Sequence, residues 1–242
     1  MNGLLHGRLD GSPVMNGHAQ VVDGLGRDIV AGRIAVGEAL PGDGAMTARF
    51  GVSRTVLREA QKTLAAKGLI YARPRVGTRV LAREDWNLLD ADVLGWLVES
   101  DPGGAFLDQL AEMRLAVEPA IAALAARRAT PEQVDAMRRS TDEMARAEDD
   151  RAFAFADLAF HKHMIDASGN VFMRSAGVLI EAALLSVFRL SSPADDAGLQ
   201  RTVAAAHGEA AARISARDEA GAAEAVRAII SLGRDRLAGR PS

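Results

Sequence analysis

Apolar residues recur every three to four positions over most of this 242-residue chain, and the places where that rhythm fails mark the element boundaries. Residues 19–32 carry a weak helical pattern that Gly32 is suited to end. The turn-rich stretch Val36 to Gly42 leads into a short helix, Asp43 to Phe50. Gly51-Val52 then makes a tight connection to a second helix with the stripe Val56, Leu57, Ala60 and Leu64. Ser53 stands just before that stripe, where its hydroxyl can accept a hydrogen bond from a free first-turn N–H. Past Lys67-Gly68 the pattern turns β-prone. Leu69 to Tyr71 and Thr78 to Leu81 flank Arg73-Pro74-Arg75-Val76-Gly77, which predicts a hairpin.

A stretch with both tryptophans follows, Glu84 to Leu97. Its composition predicts that Trp86 and Leu89 pack it onto a domain surface while Val93, Leu94, Trp96 and Leu97 begin a short helix. From Asp101 onward the helical period dominates. Asp101-Pro102 and Thr130-Pro131 pair a cap with a first-turn proline, and Pro119 should kink the helix that holds it. Gly169-Asn170 and Ser191-Ser192-Pro193 read as breaks. Alanine-rich periodic segments joined by short loops predict an antiparallel bundle. The fold class is therefore mainly α, an N-terminal winged helix-turn-helix followed by an all-α helical bundle. The expected boundaries are a disordered tail at 1–18, the winged helix at 19–83, a linker with its helix at 84–100, and the bundle at 101–238.

Charge sharpens this division. The net charge of −3 hides eleven Lys/Arg against five Asp/Glu in residues 19–83, and seventeen against twenty-six in residues 84–242. A basic module joined to an acidic one suggests a polyanion partner for the first alone. No cysteine is present, which excludes disulfides and thiolate metal sites. No apolar run reaches the roughly 18 residues of a membrane span, so a cytoplasmic protein is expected.

Helix, glycine-containing turn, second helix is the arrangement that sets the second helix in the major groove. Arg54, Thr55, Arg58 and Lys62 lie off the apolar stripe of that helix. An arginine can give two donors to guanine O6 and N7, whereas Lys62, Arg73 and Arg75 suit phosphates, which add affinity without sequence preference. In the bundle, Asp157 and His161 are one turn apart and share a face, and His207 on a later helix can join them. Two imidazoles and a carboxylate suit Zn²⁺, Ni²⁺, Mn²⁺ or Fe²⁺. An Asp–His pair at this spacing is also an ordinary local hydrogen bond. Arg114 can pair internally with Glu118, one turn along.

The run Gly32, Gly37, Leu40-Pro41, Phe50 to Arg54, Leu57 to Ala60, Leu64, Gly68-Leu69 and Gly77-Thr78 resembles the winged-helix domain of the GntR family of bacterial transcription regulators. The resemblance implies double-stranded operator DNA as partner, with Ser53, Arg54, Thr55 and Arg58 facing it and Arg73 and Arg75 near the wing. Members often carry an arginine after the acidic residue of the second helix; here Asp43 is followed by Gly44. Met113-Arg114, Glu118-Pro119, Phe155 to Asp157, Phe160-His161, Ala167 to Asn170 and His207 are similar to the FCD effector domain of the FadR-like branch. That likeness implies a divalent metal beside a carboxylate effector, with Asp157, His161 and His207 matching three ligand positions. The fourth falls near Ile229, which cannot coordinate. It also implies Arg114 as the partner of the effector carboxylate. The linker pattern Trp86-Asn87, Leu89-Asp90, Asp92 to Leu94, Trp96 is similar to the galactonate-responsive repressors of that branch, which implies a sugar-acid effector.

The resulting expectation is a homodimeric repressor released from DNA by a small hydroxy-carboxylate. Three ligands with an open position would also suit a metal-dependent enzyme acting on a sugar acid, but that reading leaves the basic module unexplained. A regulator answering to another organic acid fits the residues as well. A structural DNA binder would leave the polar residues of the bundle without a role.

Overall fold

The computed structural model describes residues 15–73, 77–100, 105–191 and 196–238. Most of the tail read as disordered, the wing tip with Arg75, the Asp101-Pro102 start signal and the Ser192-Pro193 break lie outside the described residues. The chain divides into two compact units, residues 1–103 and 104–242.

In the first unit, α1 (Gly17–Val30) begins two residues earlier than its periodicity suggests, because Asn16 caps it through a bond from the Ala19 N–H at 2.9 Å. Its apolar side, Val21, Val22, Leu25, Ile29 and Val30, is buried. The second helix, α2 (Asp43–Phe50), ends at Gly51, whose φ of +64° is the left-handed conformation glycine adopts without a Cβ penalty. Two residues later Ser53 Oγ accepts from the Val56 N–H at 3.3 Å and opens α3 (Arg54–Ala66). Leu57, Ala60 and Leu64 of α3 are fully buried against α1 and α2. Strands β1 (Ile70–Arg73) and β2 (Gly77–Val80) pair antiparallel with Ile70 opposite Val80.

Two local readings need correction. The stretch read as a plain turn after Val36 also lines the free edge of β2: Leu40 N–H donates to Thr78 O at 2.8 Å and Val80 N–H to Glu38 O at 3.0 Å. A two-stranded hairpin alone is marginal, and this third segment satisfies its open edge. Leu89 is 55% exposed rather than packed, because Asp90 beside it is committed to starting α4 (Ala91–Ser100), accepting from the N–H groups of Asp92 and Val93. Trp86, Val93 and Trp96 do enter the hydrophobic core of the winged helix. Trp96 Nε1 donates to Asp23 Oδ1 at 2.9 Å, and Lys67, at the end of α3, donates to both Asp90 oxygens and to Asp92 Oδ2, each at 2.8 Å.

Among the described residues, every regular element of the second unit is a helix. Its helices are α5 (Ala105–Arg128), α6 (Pro131–Arg146), α7 (Asp150–Ala167), α8 (Val171–Ser191), α9 (Ala197–Ser215) and α10 (Glu219–Ala238). Helix α5 continues through Pro119. Thr130 and Gln133 form a reciprocal capping box at α6. Helix α10 packs along α5 and α9, α7 on α6 and α8, and α9 on α6. Phe153, Phe160, Met137 and Ile121 fill the interior. At the α9–α10 turn Arg217, with φ of +61°, donates to Ala126 O at 3.0 Å and Ala129 O at 2.8 Å, meeting carbonyls that the end of α5 leaves unpaired.

Candidate nucleic-acid face and metal centre

The basic excess of the first unit is not evenly free. Arg33 and Arg49 both bind Asp28, at 2.6 and 2.7 Å. Arg27 pairs with Asp23 and Glu99. Arg79 donates to Gly37 O at 2.7 Å, and Lys67 is held by Asp90 and Asp92. Arg54, Thr55 and Arg58 are exposed, and among the described residues the two arginines have no ion-pair partner. They lie one turn apart at the start of α3, so their guanidinium groups project from one face. Lys62, further along, pairs with Glu59 at 2.8 Å on the exposed surface, a contact worth little. Arg73 closes β1, and Arg75 lies outside the described residues.

In the second unit, ligand atoms of Asp157, His161 and His207 lie within 4.8 Å of one another. Asp157 is 3% exposed and both histidines are fully buried. Helix α7 brings the first two together by its one-turn spacing, and α9 supplies His207. The His207 Nδ1 sits 2.8 Å from the Val203 carbonyl. A carbonyl only accepts, so that bond assigns the proton to Nδ1, and in the neutral ring Nε2 then carries a lone pair. This Nε2 faces Asp157 Oδ1 at 3.1 Å. His161 Nε2 is 3.9 Å from Asp157 Oδ2. Asp157 Oδ2, His161 Nε2 and His207 Nε2 are buried and have no hydrogen-bond partner. Lone pairs converging on a buried carboxylate are costly unless a proton or a cation lies between them. The donor set therefore fits a divalent metal. Ile229 on α10 is a buried apolar residue and adds no ligand.

Periodicity alone does not reveal the role of Glu118. Its side chain is fully buried on α5. Arg114 Nε donates to Oε1 at 2.5 Å, and Oε2 lies 2.8 Å from His161 Nδ1, in contact but not aligned as a full hydrogen bond. Burial by itself would raise the Glu118 pKa; the charge of Arg114 and the contact with His161 overcome it and hold the group at about 2. Burial likewise opposes ionisation of Asp157, yet the contacts with His207, His161 and Arg114 keep it below the usual carboxylate range. Only the i,i+4 spacing of Arg114 and Glu118 is visible in sequence; the third partner is on another helix. Arg114 also lines a narrow cleft with Leu110 of the same helix and with Ile230 and Arg234 of α10.

Residues 18–80 match the family described as bacterial regulatory proteins, gntR family, and residues 109–232 match the FCD domain. The chain is 33% identical over 190 residues to the galactonate operon transcriptional repressor of Escherichia coli K12, covering 78% of this chain and 83% of that protein. It is 35% identical over 167 residues to the HTH-type transcriptional regulator YieP of the same organism, covering 68% and 73%. Among solved structures it shares the fold of Lar, which controls expression of the agr system of Listeria monocytogenes, with a TM-score of 0.64 at 16% identity over 95% of this chain and 100% of that one.

Proposed function

This chain belongs to the gntR family of bacterial regulatory proteins and carries an FCD domain, and from that membership we propose a homodimeric repressor of sugar-acid catabolism that a small hydroxy-carboxylate releases from its operator. The family is one of transcription regulators, so the metalloenzyme reading is set aside. One observation carries the proposal: a buried polar centre of Asp157, His161, His207, Glu118 and Arg114 in a bundle attached to a recognition helix whose first turns offer free arginines. A protein that only organised DNA would have no use for that centre.

Asp157, His161 and His207 would hold a Zn²⁺, Ni²⁺, Mn²⁺ or Fe²⁺ ion, which supplies a buried positive charge for an anionic ligand. Arg114 contributes a guanidinium at the neighbouring cleft, suited to the effector carboxylate. Two copies related by a two-fold axis would read a pseudo-palindromic operator through Ser53, Arg54, Thr55 and Arg58, with Lys62, Arg73 and Arg75 toward phosphates. The effector need only prefer the arrangement that does not fit DNA. A coupling of about 1–3 kcal/mol weakens operator binding roughly 5- to 150-fold. No helix among the described residues is long and apolar enough to cross a membrane, and the proposed work lies in the cytoplasm with the DNA. The similarity to a galactonate operon repressor supports a sugar acid as ligand.

The test is binding of the purified protein to duplex DNA from its own upstream region at fixed salt, with and without D-galactonate and a panel of other sugar acids and small carboxylates. Specific binding released by one sugar acid is the expected result. Specific binding that only a different organic acid releases would overturn the ligand class and leave the regulator.

A further inference from the structure

We propose that Glu118 is the positioning residue of the metal centre: its carboxylate, balanced by Arg114, orients His161 so that Nδ1–H faces α5 and Nε2 faces the cation. The inference rests on the metal reading given above and deepens it.

Each histidine of the cluster has an oxygen 2.8 Å from its Nδ1. For His207 it is the Val203 carbonyl at 2.8 Å, supplied by its own helix. For His161 it is Glu118 Oε2 at 2.8 Å, supplied by a different helix and in contact without full hydrogen-bond alignment. Metal-ligating histidines commonly give their second ring N–H to a carboxylate or carbonyl, which fixes the tautomer and raises ligand basicity. Glu118 is not a member of the group whose ligand atoms lie within 4.8 Å of one another, so its role is to act on His161.

The position of Arg114 explains how a second carboxylate is tolerated there. A lone buried carboxylate in contact with a ligand of the cluster would be desolvated without compensation. Arg114 Nε at 2.5 Å neutralises Glu118. With both imidazoles neutral, Asp157, Glu118 and Arg114 sum to one negative charge. A divalent cation turns that into one positive charge, the sign an anionic effector requires. With isoleucine where a fourth histidine would stand, three ligands carry the whole affinity, and the orientation of each counts for more.

The test titrates the full chain with Co²⁺ alone, reading visible absorption and competition with a chelating dye. Wild type is compared with Glu118→Gln, the double variant Glu118→Gln/Arg114→Gln, and Asp157→Asn, with helicity and melting of each recorded by circular dichroism. Glu118→Gln should weaken Co²⁺ binding by about 10- to 100-fold and change the absorption band while the protein stays folded. Should the single variant unfold around an unpaired Arg114, the double variant removes that charge and should show the same loss. Co²⁺ affinity within about threefold of wild type in a folded variant, with the same spectrum, overturns the role of Glu118 while Asp157→Asn still upholds the metal. A wild type that takes up no Co²⁺ overturns both.

Discussion

The indole of Trp96 lies against Gly26 so closely that a β-carbon on Gly26 would stand 2.3 Å from two ring atoms. Together with the Trp96–Asp23 bond and the hold of Asp90 and Asp92 on Lys67, this contact fixes α4 to the winged helix. Gly26→Ala sets two effects against each other. Helix propensity favours alanine by about 1 kcal/mol, while overpacking a filled site costs about 1–3 kcal/mol. A clash this short with a buried ring makes the second larger. The expected outcome is a lower melting temperature and altered tryptophan fluorescence; an unchanged or raised melting temperature would show that α4 is free to move aside.

Arg58 is the clearest test of the DNA face, because most of the other described basic residues of its unit are already paired. Arg58→Ala should weaken specific operator binding by about 1–3 kcal/mol, a good bidentate base contact, with effector binding unchanged. Lys62→Ala should cost less and act alike on all sequences, seen as a shallower salt dependence. Equal operator affinity for wild type and Arg58→Ala, by fluorescence anisotropy at one salt concentration, would remove Arg58 from the interface.

The recognition helix was legible because everything that makes it is local: the Ser53 cap, the left-handed Gly51 and the stripe of Leu57, Ala60 and Leu64 lie within fourteen consecutive residues. The bundle helices were legible for the same reason, through their period and the Thr130-Pro131 start. What the pattern hid was pairing between distant segments. Nothing near Glu38 or Leu40 announces that β2 needs an edge partner, nor does anything near Lys67 announce Asp90. The candidate metal cluster shows an intermediate case. Asp157 and His161 declare their shared face by spacing, whereas His207 is offered to them only by residue type, since no local spacing links a later helix to that face. Glu118 was seen only as a neighbour of Arg114, since its contact with His161 exists only in the packed bundle.

Acid should act on the bundle through Glu118. Its folded pKa of about 2 lies below the ordinary 4.5, so it contributes stability above pH 4.5 that is lost as pH falls from there toward about 2. Asp157 is shifted the same way and adds to the loss. Glu118→Gln has no such carboxylate to protonate. Thermal melts from pH 7 to 3 should therefore show wild type above the variant at neutral pH and the gap narrowing below pH 4.5. A gap that is constant across this range would mean that the Arg114–Glu118 pair is not stabilising the fold.

Binding of a divalent ion to Asp157, His161 and His207 should appear as heat stability, because the ligands come from α7 and α9 and the unfolded chain does not hold them together. An ion present at a hundred times its dissociation constant adds about 2.7 kcal/mol to the folded state. Zn²⁺, Ni²⁺ or Mn²⁺ should raise the melting temperature of the protein, EDTA should return it to the starting value, and His207→Ala should abolish the response. Since Ile229 offers no fourth ligand, a small carboxylate added with the ion should raise the melting temperature beyond the effect of either alone, as the anion fills a remaining coordination position. Strictly additive shifts would separate the carboxylate site from the ion and leave Arg114 as its anchor.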